Sequence, residues 1–137
     1  MHPANSTALN ILVVDDDVGV AKALGRLLRS CGHAVRTSHS AREGLELAIR
    51  IKPDLILHDL AMRPVDGYVA ARRVRQTAAL AGTLLVAYSG LVDEAKAREA
   101  GFDAWLEKPI TAGKLETVLA MAIERRRGQT GRTGTVK

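Results

Sequence analysis

A chain of 137 residues with 47% hydrophobic side chains is long enough to bury one core and too apolar to stay disordered. Its single cysteine, Cys31, excludes an internal disulfide and a cysteine-based metal cluster, so a reducing, cytoplasmic setting is expected. The formal charge of +5 is mostly local: residues 124–137 carry five basic side chains against Glu124, whereas residues 1–123 carry 15 basic and 14 acidic ones. Such a run usually makes a solvated helix end and a loose terminus, and four aromatic residues leave little for base stacking. Nowhere do ~18 apolar residues follow one another, so no membrane span is expected, and the opening seven residues lack the pattern of a signal peptide.

Taken in order, the chain alternates strand and helix five times. Ile11-Leu12-Val13-Val14 is a short uninterrupted apolar run, as in a strand covered on both faces, and it ends at Asp15-Asp16-Asp17. The spacing of Val20, Leu24, Leu27 and Leu28 predicts a helix, with Asp17 as N-cap and Cys31-Gly32 as its stop. Ala34 to Ser38 is a weaker second strand. Ser40 caps a second helix with Ala41, Leu45, Ala48 and Ile49 inward, ended by Lys52-Pro53.

The third strand, Leu55-Ile56-Leu57-His58, leads into Asp59 and is bounded by Pro53 and by the Pro64–Gly67 loop. A helix follows from Tyr68 to about Gln76, with Arg72, Arg73 and Arg75 outward. Thr83 to Tyr88 is the fourth strand, ending at Ser89-Gly90. The alanine-rich helix from Val92 to Ala100 has the least apolar bulk to anchor it. Ala104 to Glu107 is the fifth strand, ending at Lys108-Pro109, and Thr111 opens a last helix with Leu115, Val118, Leu119 and Ala122 on its face. Residues 1–8 are expected as a tail, 9–127 as one domain and 128–137 as a basic, flexible tail.

Alternating elements at this spacing imply a parallel sheet with right-handed crossovers and helices on both faces. In such a sheet, ligands and chemistry sit at the carboxyl ends of the strands. Those ends carry Asp15 and Asp16, Asp59, Ser89 and Lys108. Unit charges ~4 Å apart interact by roughly 4 kcal/mol at an effective dielectric near 20, so three clustered carboxylates favour a shared cation. Oxygen-only ligands suit Mg²⁺, with Mn²⁺ possible. A carboxylate beside such an ion, with a lysine and a hydroxyl opposite, is equipped to accept a phosphoryl group.

With these residues in order, the chain resembles the receiver domain of two-component response regulators, of the single-domain type. The matching pieces are Ile11-Leu-Val-Val-Asp-Asp-Asp, Asp54-Leu-Ile-Leu-His-Asp-Leu-Ala-Met, Val65-Asp-Gly-Tyr, Ser89-Gly90 and Glu107-Lys108-Pro109-Ile110. The resemblance spans about Asn10 to Arg126 and implies the flavodoxin-like, doubly wound, five-stranded sheet of order 2-1-3-4-5. It implies Asp59 as phosphoacceptor, with Mg²⁺ held by Asp16, Asp59 and the Ala61 carbonyl and by Asp15 largely through water. It further implies Ser89 and Lys108 on the phosphoryl oxygens, the N–H groups of Leu60 and Gly90 completing the cradle, and a cis Lys108–Pro109 bond.

The partners implied are a histidine kinase or histidine phosphotransfer protein, and a protein target reached through the fourth helix, fifth strand and fifth helix. Direct binding of nucleic acid or membrane is not implied, nor is an enzyme beyond assisting its own phosphorylation and autodephosphorylation. Several positions depart from the family's pattern: Arg63 stands where a proline is common, Trp105 where a tyrosine or phenylalanine usually switches, and the small Ala61 and apolar Leu91 flank the acceptor. Two other readings share the fold. A pseudo-receiver would bind partners without phosphorylation, and the intact acid, serine and lysine set argues against it. An aspartyl-nucleophile phosphatase would need an acid where Ala61 stands.

Overall fold

Alternation along each strand decides which side chains enter which layer. In the computed structural model, which describes residues 7–128 and 134–137, β1 (Asn10–Val14) sends Ile11 and Val13 to one face and Leu12 and Val14 to the other. β3 (Leu55–Asp59), β4 (Leu84–Ser89) and β5 (Ala104–Glu107) do the same, and β3 and β4 are buried along their whole length. With β2 (Ala34–Ser38), these strands form a parallel sheet whose order is β2-β1-β3-β4-β5, extended by β6 (Gly134–Thr135) beside β5.

The five-stranded expectation is therefore corrected to six. Residues 134 and 135, expected within a flexible tail, pair with β5; residues 1–6 and 129–133 of the two expected tails lie outside the described residues.

The helices are α1 (Val18–Ser30), α2 (Ala41–Ile51), α3 (Gly67–Arg75), α4 (Glu94–Ala100) and α5 (Ala112–Arg126). Every one begins under a side-chain cap: Asp17, Ser40, Asp66, Asp93 and Thr111 each accept the backbone N–H three residues on. α1 and α5 cover one face, where Leu24, Leu28, Leu115 and Val118 meet Ile11, Leu57 and Val86. α2, α3 and α4 cover the other, where Leu47, Val74 and Ala97 meet Leu12, Ile56 and Leu85. α4 buries only Ala97 and Ala100, as its composition predicts.

Two side chains expected inward are not. Leu27 and Ile49 are 45% and 42% exposed, because each lies at the flank of its apolar stripe rather than at its centre. The arginines expected in solvent are partly recruited. Arg75 donates to the carbonyls of Gly101 (2.7 Å) and Thr83 (3.1 Å) and pairs with Asp103, which Arg125 also reaches at 3.1 Å. Arg126 pairs with Asp54 at 3.3 Å and donates to the Ala8 carbonyl at 2.6 Å. These pairs pin the amino-terminal edge of the sheet, opposite the carboxyl-terminal edge where the acidic residues gather.

Candidate functional site

Strand parity assembles the site. Asp15 continues the Ile11, Val13 series, Asp59 the Leu55, Leu57 series, Tyr88 the Leu84, Val86 series and Lys108 the Ala104, Leu106 series. All four therefore leave the sheet on the α1–α5 side. One carboxylate oxygen from each of Asp15, Asp16 and Asp59 lies within 4.8 Å of the others. Asp15 and Asp59 are buried and Asp16 is exposed, so the cluster is open to solvent at one side.

Each buried acid is held. Asp15 accepts the Tyr88 hydroxyl at 2.8 Å on Oδ2 and the Asp17 N–H at 2.9 Å on Oδ1. Asp59 Oδ1 accepts the Ala61 N–H at 3.3 Å. Burial, then the charge of Asp15, pushes the Asp59 carboxyl up to about 6, against the lowering pull of the Ala61 N–H and the Lys108 ammonium. Burial, then the same acid, pushes the Tyr88 phenol far above its ordinary range, so it stays a donor. The exposed Lys108 ammonium sits 5.4 Å from the centre of the Tyr88 ring, a cation–π contact that parks it beside the acids.

The other expected residues sit as follows. Ser89 is buried at the end of β4, and its carbonyl accepts the Lys108 N–H at 2.8 Å, tying β4 to the loop after β5. The Leu60 N–H donates to the Tyr88 carbonyl at 3.2 Å, while the Ala61 N–H is the one on the Asp59 carboxylate. Ala61, Gly90 and Leu91 are exposed around the mouth. Both Lys108–Pro109 and Arg63–Pro64 are cis. His58 is buried, its pKa lowered by burial, and its Nδ1 donates to the Asp59 carbonyl at 2.8 Å, so it supports the backbone rather than the carboxylate. His39 likewise donates to the Asp15 carbonyl at 3.1 Å.

Tyr88 is the residue that sequence reasoning missed. The signal was available in the parity of β4, which places an aromatic hydroxyl on the face of Asp15 and Asp59.

The loop after β3 folds back tightly. The Gly67 N–H donates to the Leu60 carbonyl at 3.0 Å, and a Cβ on Gly67 would lie 2.5 Å from the Asp59 carbonyl oxygen and 2.7 Å from the Leu60 Cα. Both neighbours are backbone, so they cannot rotate away. Gly67→Ala is expected to cost about 1–3 kcal/mol and to displace Asp59 from Asp15 and Lys108. Thermal melts and divalent-cation titration check this; a variant with wild-type melting and wild-type cation affinity would contradict it.

A model of the response regulator receiver domain matches residues 11–120. The chain belongs to this family. The receiver is 32% identical over 116 residues to the transcriptional regulatory protein AfsQ1 of Streptomyces coelicolor, covering 85% of this chain and 52% of that protein. It is 34% identical over 128 residues to the KDP operon transcriptional regulatory protein KdpE of Escherichia coli, covering 93% and 57%. The receiver thus spans about half the length of these relatives.

Among solved structures, it superposes with a TM-score of 0.76 on the receiver domain of the sensor histidine kinase PA1611 of Pseudomonas aeruginosa, at 26% identity over 85% of this chain and 98% of that one. That structure holds a magnesium ion in its active site cleft. The receiver's own acids fit such an ion: three carboxylates converge, one faces solvent, and among the described residues none of the three is in an ion pair. Receivers are signalling domains of two-component systems rather than enzymes acting on a separate substrate.

Proposed function

We propose that this receiver takes a phosphoryl group from the phosphohistidine of a partner histidine kinase or phosphotransfer protein onto Asp59. The observation that carries the reading is one sheet edge where a buried, raised-pKa carboxylate faces two acids on one side and Lys108 on the other. An Asp59 Oδ attacks phosphorus, the O–P bond forms as the P–N bond breaks, and the donor imidazole keeps that electron pair. Asp15, Asp16 and Asp59, with the Ala61 carbonyl, would hold Mg²⁺ or Mn²⁺, which when bound neutralises charge on the carboxylates and the transferring oxygens.

Tyr88 holds Asp15 in place for this. Lys108 moves from the Tyr88 ring onto the phosphoryl oxygens, the Ser89 hydroxyl donates to them, and the Gly90 N–H completes the cradle with that of Ala61, because the Leu60 N–H expected there is held by the Tyr88 carbonyl. Autodephosphorylation, with water attacking past Ala61 and Leu91, is part of the same chemistry. The switched surface is α4, β5 and α5, read by a protein target in the cytoplasm; neither nucleic acid nor a membrane enters the reading. The direct test is the intact mass after acetyl phosphate treatment. A single phosphoryl adduct is expected with Mg²⁺ and none with EDTA; no adduct under either condition would sink the reading.

The donor must approach along what rims Lys108. An apolar cavity of about 360 Å³ lies there, between α1 and the loop into α5, lined by Val20, Ala23, Leu24, Leu27, Pro109 and Ile110. Leu27 is exposed in it. Leu27→Asp is expected to slow transfer from a phosphohistidine protein by tenfold or more, about 1.4 kcal/mol, while labelling by acetyl phosphate stays unchanged. Equal loss with both donors would assign Leu27 to the fold instead.

A further inference from the structure

Residues 134–137 run parallel to β5 on the edge where the alternating pattern has no further strand. The Gly134 N–H donates to the Asp103 carbonyl at 3.2 Å and the Val136 N–H to the Trp105 carbonyl at 3.0 Å. Neighbours then point to opposite faces. Val136 is 5% exposed and joins the cluster of Ala104, Leu106, Val118 and Ala122 under α5. Thr135 lies on the other face, where its Oγ1 accepts the Trp105 indole N–H at 2.7 Å. Trp105 itself is fully buried, with the Arg98 guanidinium of α4 5.4 Å from its ring.

A buried indole N–H must have an acceptor, and here β6 supplies it. Strand and tryptophan are therefore coupled: if β6 leaves, Trp105 loses its partner and gains contact with water. The attachment is short, a two-residue strand with the indole bond and one buried valine, against the entropy of ordering the segment. It also sits on a strand that leads into the acceptor site. Lys108 follows Trp105 by three residues on the same chain segment, and its N–H is bonded to the Ser89 carbonyl.

We propose that residues 134–137 are an intramolecular latch on the α4–β5–α5 face. Closed, it holds Trp105 inside and occupies the β5 edge, so a protein partner that reads this edge binds after the latch leaves. Movement of Ser89 and Lys108 onto the phosphoryl oxygens opens it. This second step rests on the acceptor reading of Asp59.

Trp105 is the only tryptophan, so the full chain reports on itself. Val136→Asp places a carboxylate in the apolar cluster, Gly134→Pro removes the donor to Asp103 without burying a charge, and Thr135→Val removes only the indole's acceptor. Acrylamide quenching is expected to rise several-fold, with a red-shifted emission, in Val136→Asp and Gly134→Pro, and to rise less in Thr135→Val, with helix content unchanged by circular dichroism. Quenching equal to wild type in both Gly134→Pro and Thr135→Val overturns the latch even if Val136→Asp fails to fold.

Beryllofluoride with Mg²⁺ is expected to bring wild-type quenching toward the Gly134→Pro value and to leave Asp59→Asn unmoved. Amide shifts at Asp59 and Ser89 recorded in the same samples separate the two ideas. Shifts with a silent tryptophan overturn the coupling and leave the acceptor reading standing. An absence of shifts overturns the acceptor reading and the coupling with it, while the variants alone decide the latch.

Discussion

Asp59→Asn is expected to lose the phosphoryl adduct entirely and, in EDTA, to melt higher than wild type. The two effects have one cause. The carboxylate proposed as nucleophile is confined beside Asp15, and burial plus that charge raise its pKa from 3.8 to about 6. Each unit is worth about 1.4 kcal/mol, so the ionised form carries a native-state penalty of at most about 3 kcal/mol. The mouth of the site, where Asp16 and Ala61 are exposed, lets solvent screen part of it.

An uncharged amide of the same shape removes the penalty. The expected gain near neutral pH is about 1–2 kcal/mol, or ~3–6 °C in Tm. Mg²⁺ should narrow or reverse the difference, because wild type then gains binding energy that the variant forfeits. Paired thermal melts with and without Mg²⁺, beside intact-mass spectra, check both halves. An Asp59→Asn variant that still takes the adduct would move the acceptor elsewhere.

The pH dependence follows from the same raised pKa. Between pH 3.8 and about 6 the folded state holds a proton on Asp59 that the unfolded chain has released, so this group's contribution to stability falls as pH rises through that window. Above about 6 the penalty is complete. In wild type without divalent cation, stability relative to Asp59→Asn should therefore decline from pH 4 toward pH 6 and then level.

Reactivity runs the other way, since only the carboxylate attacks phosphorus. At limiting cation, the initial rate of acetyl phosphate labelling should fall about tenfold per unit below pH 6. Saturating Mg²⁺ should move that edge to lower pH by favouring the ionised form. The groups facing Asp59 that bear on the profile are Asp15, Asp16, Tyr88 and Lys108, with His58 behind it on the carbonyl. A rate independent of pH down to 5 would show that Asp59 is not the titrating nucleophile.

The difference between the legible and the hidden parts of this receiver is one of range. Strand positions, helix starts and the edge that carries Asp15, Asp16, Asp59, Ser89 and Lys108 follow from local signals: short apolar runs, a capping residue before each periodic stretch, and polar residues where each run stops. These need only a few neighbouring residues to be decided. The side on which Asp15 and Asp59 emerge is local too, because alternation counts it out, and Tyr88 belonged to the same count.

What the tertiary structure alone decided lies where residues far apart in the chain meet. Arg75 reads as one more outward arginine until Asp103 and the Thr83 and Gly101 carbonyls are brought beside it. Leu27 reads as core until α5 is set against α1 and leaves it at the lip of a groove. Residues 134–137 have no periodicity to announce a strand; they become one because β5 offers an unpaired row of backbone groups and Trp105 an indole N–H without another described acceptor. Local pattern determined the fold and gathered the acids, Ser89 and Lys108 at one sheet edge. Packing between distant segments decided how those side chains are held, which apolar residues rim Lys108, and which segment covers the edge of β5.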